Sequence, residues 1–200
     1  KESRRMKKIE VSDFIYHSHV DDHDKIKDNV LFEISKTFDD NASQKDSYYE
    51  DSVSKLDYEK CIDKERPWLK ICLPGISREI LKFGNECGYR EVVLKDIWYQ
   101  QYKEGDTHGW HIHGHHFTGV YYLEHPKGSS RTEICSPLNL KSQSIDTKEG
   151  DLVIFPSHWI HRGPPNRTER KTIISYNLRI TPESGLDIAK IRKGKPYIFF

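Results

Sequence analysis

Apolar positions keep two different rhythms along this chain, and the change falls near residue 90. Before it they recur at helical spacing. Ile26, Val30, Leu31, Ile34 and Phe38 follow aspartates at Asp21 and Asp22, predicting an amphipathic helix within 21–38. A second stripe, Ile76, Ile80, Phe83 and Cys87, lies in "ISREILKFGNECG", with Pro74–Gly75 as punctuation before it and Gly88 as its stop. From Glu91 onward the runs shorten and turn β-branched and aromatic: "EVVLKDIWYQQY", "GWHIH", "FTGVYYLE", "RTEICS", "GDLVIFP" and "KTIISYNLRI", separated by Gly, Pro, Asp and Ser clusters. This texture predicts a mainly β chain, a sandwich or barrel, with the helices packed outside it.

Between the two helical stripes, residues 39–65 carry nine Asp and Glu against four Lys with little periodicity, which predicts a long mobile segment of the kind that serves as a lid. Three regions follow: 1–90, helical and irregular; 91–180, the β core; and 181–200, a tail whose apolar end could pack on the domain or on a second copy as a homodimer. With 200 residues and 35% apolar content, one structural domain accommodates all three.

Composition narrows the class. No run approaches 18 apolar residues, and "KESRRMKKIEVSDF" lacks the apolar stretch of a secretory signal, so a soluble, cytoplasmic protein without a membrane span is expected. Cys61, Cys72, Cys87 and Cys135 form no CxxC and read as reduced structural thiols. The net charge of +1 hides a basic second part: residues 66–200 hold 20 Lys and Arg against 14 Asp and Glu. That balance suits an anionic small molecule, and the absence of a basic-aromatic stripe argues against nucleic acid.

Eight of the eleven histidines lie between 108 and 161. On a strand, His111 and His113 share one face, and two neutral imidazoles side by side are a ready pair of ligands for Fe, Mn, Zn or Ni. His161, after the apolar strand "DLVIFP", is the candidate third ligand, aimed from a strand end into a barrel mouth. His108 could stand behind His111, whereas His115, His116, His125 and His158 read as solvated loop residues. Asp106, five residues before His111, is the nearest carboxylate that could join a ligand set. No GxSxG elbow and no cysteine in a reactive context supports a covalent nucleophile.

Two related families resemble this pattern. Gly105 followed by His111-Ile-His113, and Gly150 followed by Pro156 and His161, resemble the two cupin motifs, without the glutamate expected after HxH. A broader resemblance, over roughly residues 95–180, is to the 2-oxoglutarate/Fe(II)-dependent oxygenases of prolyl-hydroxylase-like type. It is carried by "WYQQYKEGDTHGWHIH", "FTGVYYLE" and "GDLVIFPSHWIHRGPPNRTERKTIISYNL". This resemblance implies a double-stranded β-helix, a cupin-like jelly roll, with His111, His113 and His161 as both metal ligands and catalytic centre. It further implies Fe(II), O2 and 2-oxoglutarate as cofactors and cosubstrates, and hydroxylation of a small-molecule or peptide substrate with release of succinate and CO2.

By the same resemblance Arg170 or Lys171 pairs with the distal carboxylate of 2-oxoglutarate. Arg170 opens an Arg-Lys-Thr that looks like the family's RxS/T motif and is favoured; Lys171 shares a strand face with Ser175 and Asn177. Tyr122 and Tyr102 would hydrogen-bond the cosubstrate, and Val120, Ile154 and Ile174 would form a water-excluding wall. One departure stands out: HxH replaces the family's HxD, which leaves three neutral ligands. That set is similar to the three-histidine cupins, such as thiol dioxygenases, which need no 2-oxoglutarate, and a non-catalytic metal-binding barrel is the remaining alternative.

Overall fold

Two antiparallel sheets face one another in the computed structural model of the chain, which describes residues 13–37, 51–136, 140–181 and 197–199. Eight consecutive strands build the barrel: β3 (Glu91–Lys103), β4 (His108–His111), β5 (Phe117–Glu124), β6 (Glu133–Cys135), β7 (Ser142–Ser144), β8 (Asp151–Pro156), β9 (Ile160–Gly163) and β10 (Arg170–Thr181). They alternate between a large sheet ordered β8-β5-β10-β3 and a small one ordered β4-β9-β6-β7, the winding of a double-stranded β-helix. The fold class expected above is the one found. The large sheet is extended by β1 (Tyr16–His19) beside β8, β2 (Lys55–Leu56) on β3, and β11 (Tyr197–Phe199), parallel to β3.

Strand alternation splits the apolar residues of the large sheet between two cores. Phe117, Tyr121 and Leu123 of β5, Leu152 and Ile154 of β8, and Ile174, Tyr176 and Leu178 of β10 point outward to the helices. Val120 and Tyr122, Val153 and Phe155, and Ile173 point into the barrel. The expected wall is thereby corrected: Val120 faces the interior, but Ile154 and Ile174 sit on the helix side, and Phe155 and Ile173 take their places within. Gly119 lies opposite Tyr176 in the β5–β10 register, and a Cβ there would fall 2.1 Å from the tyrosine ring. Any larger residue would push Tyr176 out of the core.

The outer core is roofed by helices α1 (His23–Ser35) and α2 (Pro67–Cys87). The first helix begins two residues later than the aspartates suggested, and Phe38 lies outside the described residues. The second is 21 residues long and passes straight through Pro74, where a break was expected. Pro67 at its first turn starts it, since a missing N–H costs nothing there. The stripe Trp68, Leu69, Cys72, Ile76, Ile80 and Phe83 is fully buried. At about 1.5–3 kcal/mol for each large apolar side chain, that burial outweighs the hydrogen bond Pro74 forfeits. Gly88 ends the helix in the left-handed region, φ 72°, as its position predicted.

The expected mobile segment divides. Residues 39–50 lie outside the described residues, as do 1–12 and most of the tail. Residues 51–65 are packed against β3: Leu56 pairs with Gln100, and Asp57 accepts from Arg66 Nη1 (2.6 Å), Trp68 Nε1 (2.9 Å) and the Tyr99 amide (2.9 Å). Acidity there reflects anchoring as well as solvation. Among the described residues no helix is long and apolar enough to cross a membrane.

Candidate metal centre

The two histidine motifs meet because β4 and β9 are antiparallel neighbours in the small sheet. His111 and His161 are direct register partners, with ring centroids 4.2 Å apart. His113 lies just beyond the end of β4, in the turn and not on the strand as alternation assumed. Its amide donates to Ser157 O (3.1 Å), and the Ser157 amide donates back to His116 O (3.1 Å), which pins the turn against the loop that precedes β9. The ring of His113 stands 5.0 Å from that of His161 and 5.1 Å from that of His111. One nitrogen from each imidazole lies within 4.8 Å of the others, and among the described residues this is the one such cluster of metal-ligating groups.

Backbone carbonyls prepare two of these rings. His111 Nδ1 donates to Gly109 O (2.7 Å) and His161 Nδ1 to Trp159 O (2.9 Å). Each Nε2 is thereby left with its lone pair, the tautomer a metal ligand needs. Burial, and the neighbouring imidazoles, hold the three rings well below the ordinary histidine range: His113 down to about 4, His161 to about 3, and His111 lower still. All three are neutral at pH 7, and a divalent ion among them would keep its full charge. The donor set fits a borderline transition metal such as Fe(II), Mn(II) or Zn(II).

The cluster opens into a cavity lined also by Trp98, Gln100, Tyr102, Thr132, Lys171 and Ser175, with a volume of about 30 Å³. That is the space of about one water molecule in the liquid, so a larger ligand must turn lining side chains aside. Lys171 is 2% exposed; its Nζ donates to Ser130 O (3.1 Å) and stands 4.4 Å above the Tyr102 ring. Among the described residues it forms no ion pair, and burial alone lowers its pKa to about 8. A buried ammonium that faces a carbonyl and a ring, and no carboxylate, is built to meet an anion.

The other expected residues are placed as follows. Arg170 is on the opposite face of β10, half-exposed, its Nε and Nη2 each 2.8 Å from the Glu124 carboxylate. The structure does not bring it to the cavity. Tyr102 lines the cavity, whereas Tyr122 stands one layer behind, its hydroxyl donating to Thr132 Oγ1 (2.8 Å), and it is Thr132 that lines the space. Asp106 accepts from Ser54 and from the Lys103 amide, which holds the turn after β3. It adds nothing to the three imidazoles. His108 stands behind His111, ring centroids 4.1 Å apart, with Nδ1 2.8 Å from Asp51 Oδ1.

Two of the supposed loop histidines are engaged: His115 pairs with Asp96 (2.9 Å) and His116 Nδ1 accepts from the Ile180 amide (3.0 Å). His125 is buried against the Tyr122 ring, 5.1 Å away. His116 and His158 are exposed, as expected of loop residues. Sequence reasoning passed over Trp98, Gln100 and Thr132. Period-two alternation along β3, counted from Tyr102, would have found all but Thr132.

No protein-family model matches the sequence, and no curated protein matches it. Solved structures do match. A viral collagen prolyl hydroxylase from Paramecium bursaria Chlorella virus-1, bound to 2-oxoglutarate, is 16% identical at a TM-score of 0.57, over 83% of this chain and 97% of that one. A prolyl hydroxylase from Trichoplax adhaerens, in complex with a hypoxia inducible factor oxygen degradation domain peptide, is likewise 16% identical at 0.57, over 89% and 85%. An oxidoreductase of the 2OG-Fe(II) oxygenase family from Burkholderia pseudomallei is 16% identical at 0.50, and the match spans 56% of each chain. At these identities the likeness is one of fold: this chain has the double-stranded β-helix found in those oxygenases.

Proposed function

We propose that this chain is a non-haem Fe(II), 2-oxoglutarate-dependent oxygenase that hydroxylates a peptide or small-molecule substrate, with release of succinate and CO2. One observation carries the reading: three neutral imidazoles and a buried ammonium without a carboxylate partner share one cavity of the barrel. The fold likeness to prolyl hydroxylases supports it, and the peptide bound by the Trichoplax protein supports a peptide as substrate.

His111, His113 and His161 would hold the metal. Iron bound there would activate O2, the oxidant, which converts 2-oxoglutarate to succinate and CO2 and places its second oxygen atom on the substrate. Lys171 would pair with the distal carboxylate, which replaces its contact to Ser130 O with a charge-assisted hydrogen bond. Tyr102 holds the lysine from below, and Thr132, positioned by Tyr122, offers a hydroxyl to the same carboxylate. Val120, Ile173 and Phe155, the last packed 4.9 Å from the His161 ring, keep bulk water from the reacting centre.

Anaerobic addition of Fe(II) and then 2-oxoglutarate should produce the weak visible charge-transfer band of the chelate, and admission of O2 should yield succinate. Intact 2-oxoglutarate with every substrate offered would overturn the reading. The all-imidazole ligand set and the 30 Å³ cavity favour a second one, a three-histidine cupin-type metalloenzyme that uses no 2-oxoglutarate. Under that reading Lys171→Met leaves turnover intact; under the first it weakens cosubstrate binding at least about ten-fold.

A further inference from the structure

We infer that Ser157 and His116 are positioning residues of the metal centre: between them they set where His113 stands against the other two imidazoles. The inference rests on His111, His113 and His161 being metal ligands. Two of the three need no such help. His111 and His161 face each other as register partners on β4 and β9, so the pairing of the small sheet itself fixes their separation.

His113 is carried differently. Between His111, which ends β4, and Phe117, which opens β5, the chain crosses from the small sheet to the large one, and His113 lies in that crossing. Its position is therefore set by whatever ties the crossing to the large sheet. Ser157, directly after β8, ties it twice: the serine carbonyl accepts from the His113 amide, and the serine amide donates to the His116 carbonyl, both at 3.1 Å. Ser157 is itself fully buried, and its Oγ lies 2.9 Å from Thr118 Oγ1 on β5. A buried hydroxyl left without its partner costs free energy, so that bond anchors the serine, and with it the crossing, to β5.

His116 adds the tie to β10. Its amide donates to Leu178 O (3.1 Å), and Leu178 is the last residue of β10 to pair with β5. Two residues further on, the Ile180 amide lies beyond the end of that ladder and donates instead to His116 Nδ1 at 3.0 Å. The imidazole stands in for the strand residue that β5 lacks there. His116 thus spends its amide, its carbonyl and its ring on the seam between the two sheets.

The centre is built two plus one: a pair set by the small sheet, and a third ligand set by the seam. Loosening the seam moves His113 and leaves the pair in register, so it changes how many nitrogens reach the ion.

The test is Co(II) bound to the full chain, read by titration against a chromophoric chelator and by the d–d spectrum at saturation. Thr118→Val keeps the shape of the side chain and removes the hydroxyl that holds Ser157. His116→Ala takes the ring from β10 at an exposed position. Each should weaken Co(II) binding about ten-fold or more, toward the affinity of His113→Ala, and shift the bands in the direction that variant does. Thr118→Ser restores a hydroxyl and His116→Asn an acceptor, and each should recover affinity and bands together. Asp106→Asn, which loosens the turn after β3, should lower the melting temperature and leave both readings unchanged. Wild-type affinity and bands in Thr118→Val and His116→Ala would overturn the inference while the metal site stands, and so would losses that Thr118→Ser and His116→Asn fail to restore. A wild type that binds no Co(II), or a His113→Ala that binds it as wild type does, would overturn the ligand assignment as well.

Discussion

Arg170 and Lys171 are neighbours in sequence and point to opposite sides of β10: the arginine forks onto Glu124 at 2.8 Å outside the barrel, and the lysine enters it to stand 4.4 Å over Tyr102. The motif alone favoured Arg170, because a guanidinium is well shaped for a carboxylate. Strand alternation decides against it, since Arg170 has already found its carboxylate. Lys171→Met should therefore weaken 2-oxoglutarate binding at least ten-fold, the loss of a charged hydrogen bond worth about 1.5–3 kcal/mol. Arg170→Met should leave it within two-fold and lower the melting temperature slightly. Anaerobic titration of the visible band separates the two, and the reverse ranking would return the role to Arg170.

Burial gives Lys171 a pKa of about 8. Below that pH it carries the charge a dicarboxylate needs; above it, the free protein holds a neutral amine, and binding must draw a proton from solution. Affinity for 2-oxoglutarate should be flat from pH 6.5 to 7.5 and fall by up to ten-fold per unit above about 8.5. Lys171→Arg, charged at every accessible pH, should remove that fall. A wild-type affinity constant to pH 10 would contradict the assignment.

Histidine burial makes the metal-free protein sensitive to acid. His111, His113, His125 and His161 all titrate far below the unfolded value of about 6.5: His113 and His125 at about 4, His161 at about 3, and His111 lower. Above pH 6.5 they are neutral in both states and cost nothing. As the pH falls from there toward 4, the unfolded chain takes up protons that the folded chain refuses, so stability declines. Each refused proton costs up to about 1.4 kcal/mol per pH unit. The melting temperature should drop steeply between pH 6.5 and 5, and denaturant titrations should give a slope of more than one proton. Co(II) or Zn(II) should raise the melting temperature across this range and leave the slope as it is, because an ion that binds only the folded state stabilises it without altering the protons the unfolded chain takes up.

Much of this fold is visible in the chain because strands declare themselves locally. The runs from Glu91 to Ile180 carry β-branched and aromatic residues between Gly, Pro and Asp turns, and they become β3, β4, β5, β6, β8 and β10, whereas the short β7 and β9 lie in none of them. Pro74 misled because a helix with a buried stripe of six apolar residues tolerates the bond it loses. Of the site, His111, His113 and His161 were legible from spacing, and their convergence needed only that β4 pair with β9. Side-chain alternation along β10, weighed below motif resemblance, is what puts Lys171 and not Arg170 on the cavity side. Thr132 could not be read at all, because its place at the cavity, beside Tyr122, exists only once the sheets have formed.

Trp98 should report what enters the cavity. Its ring is buried, lines the space beside the cluster and stacks on His113 at 5.9 Å, whereas Trp68 belongs to the helix core on the other side of the large sheet. A paramagnetic ion on the three imidazoles lies close enough to quench the indole. With only about 30 Å³ free, a dicarboxylate seated there must also turn lining side chains and change the ring's surroundings. Co(II) should therefore quench tryptophan fluorescence with the same saturation curve as its visible bands, and 2-oxoglutarate should alter the emission of the metal-loaded protein further. Trp98→Phe should reduce the quenching, with Trp110 and Trp159 beside His111 and His161 supplying the remainder, and Trp68→Phe should retain it. Quenching that His111→Ala leaves untouched would place the ion somewhere other than the histidine cluster.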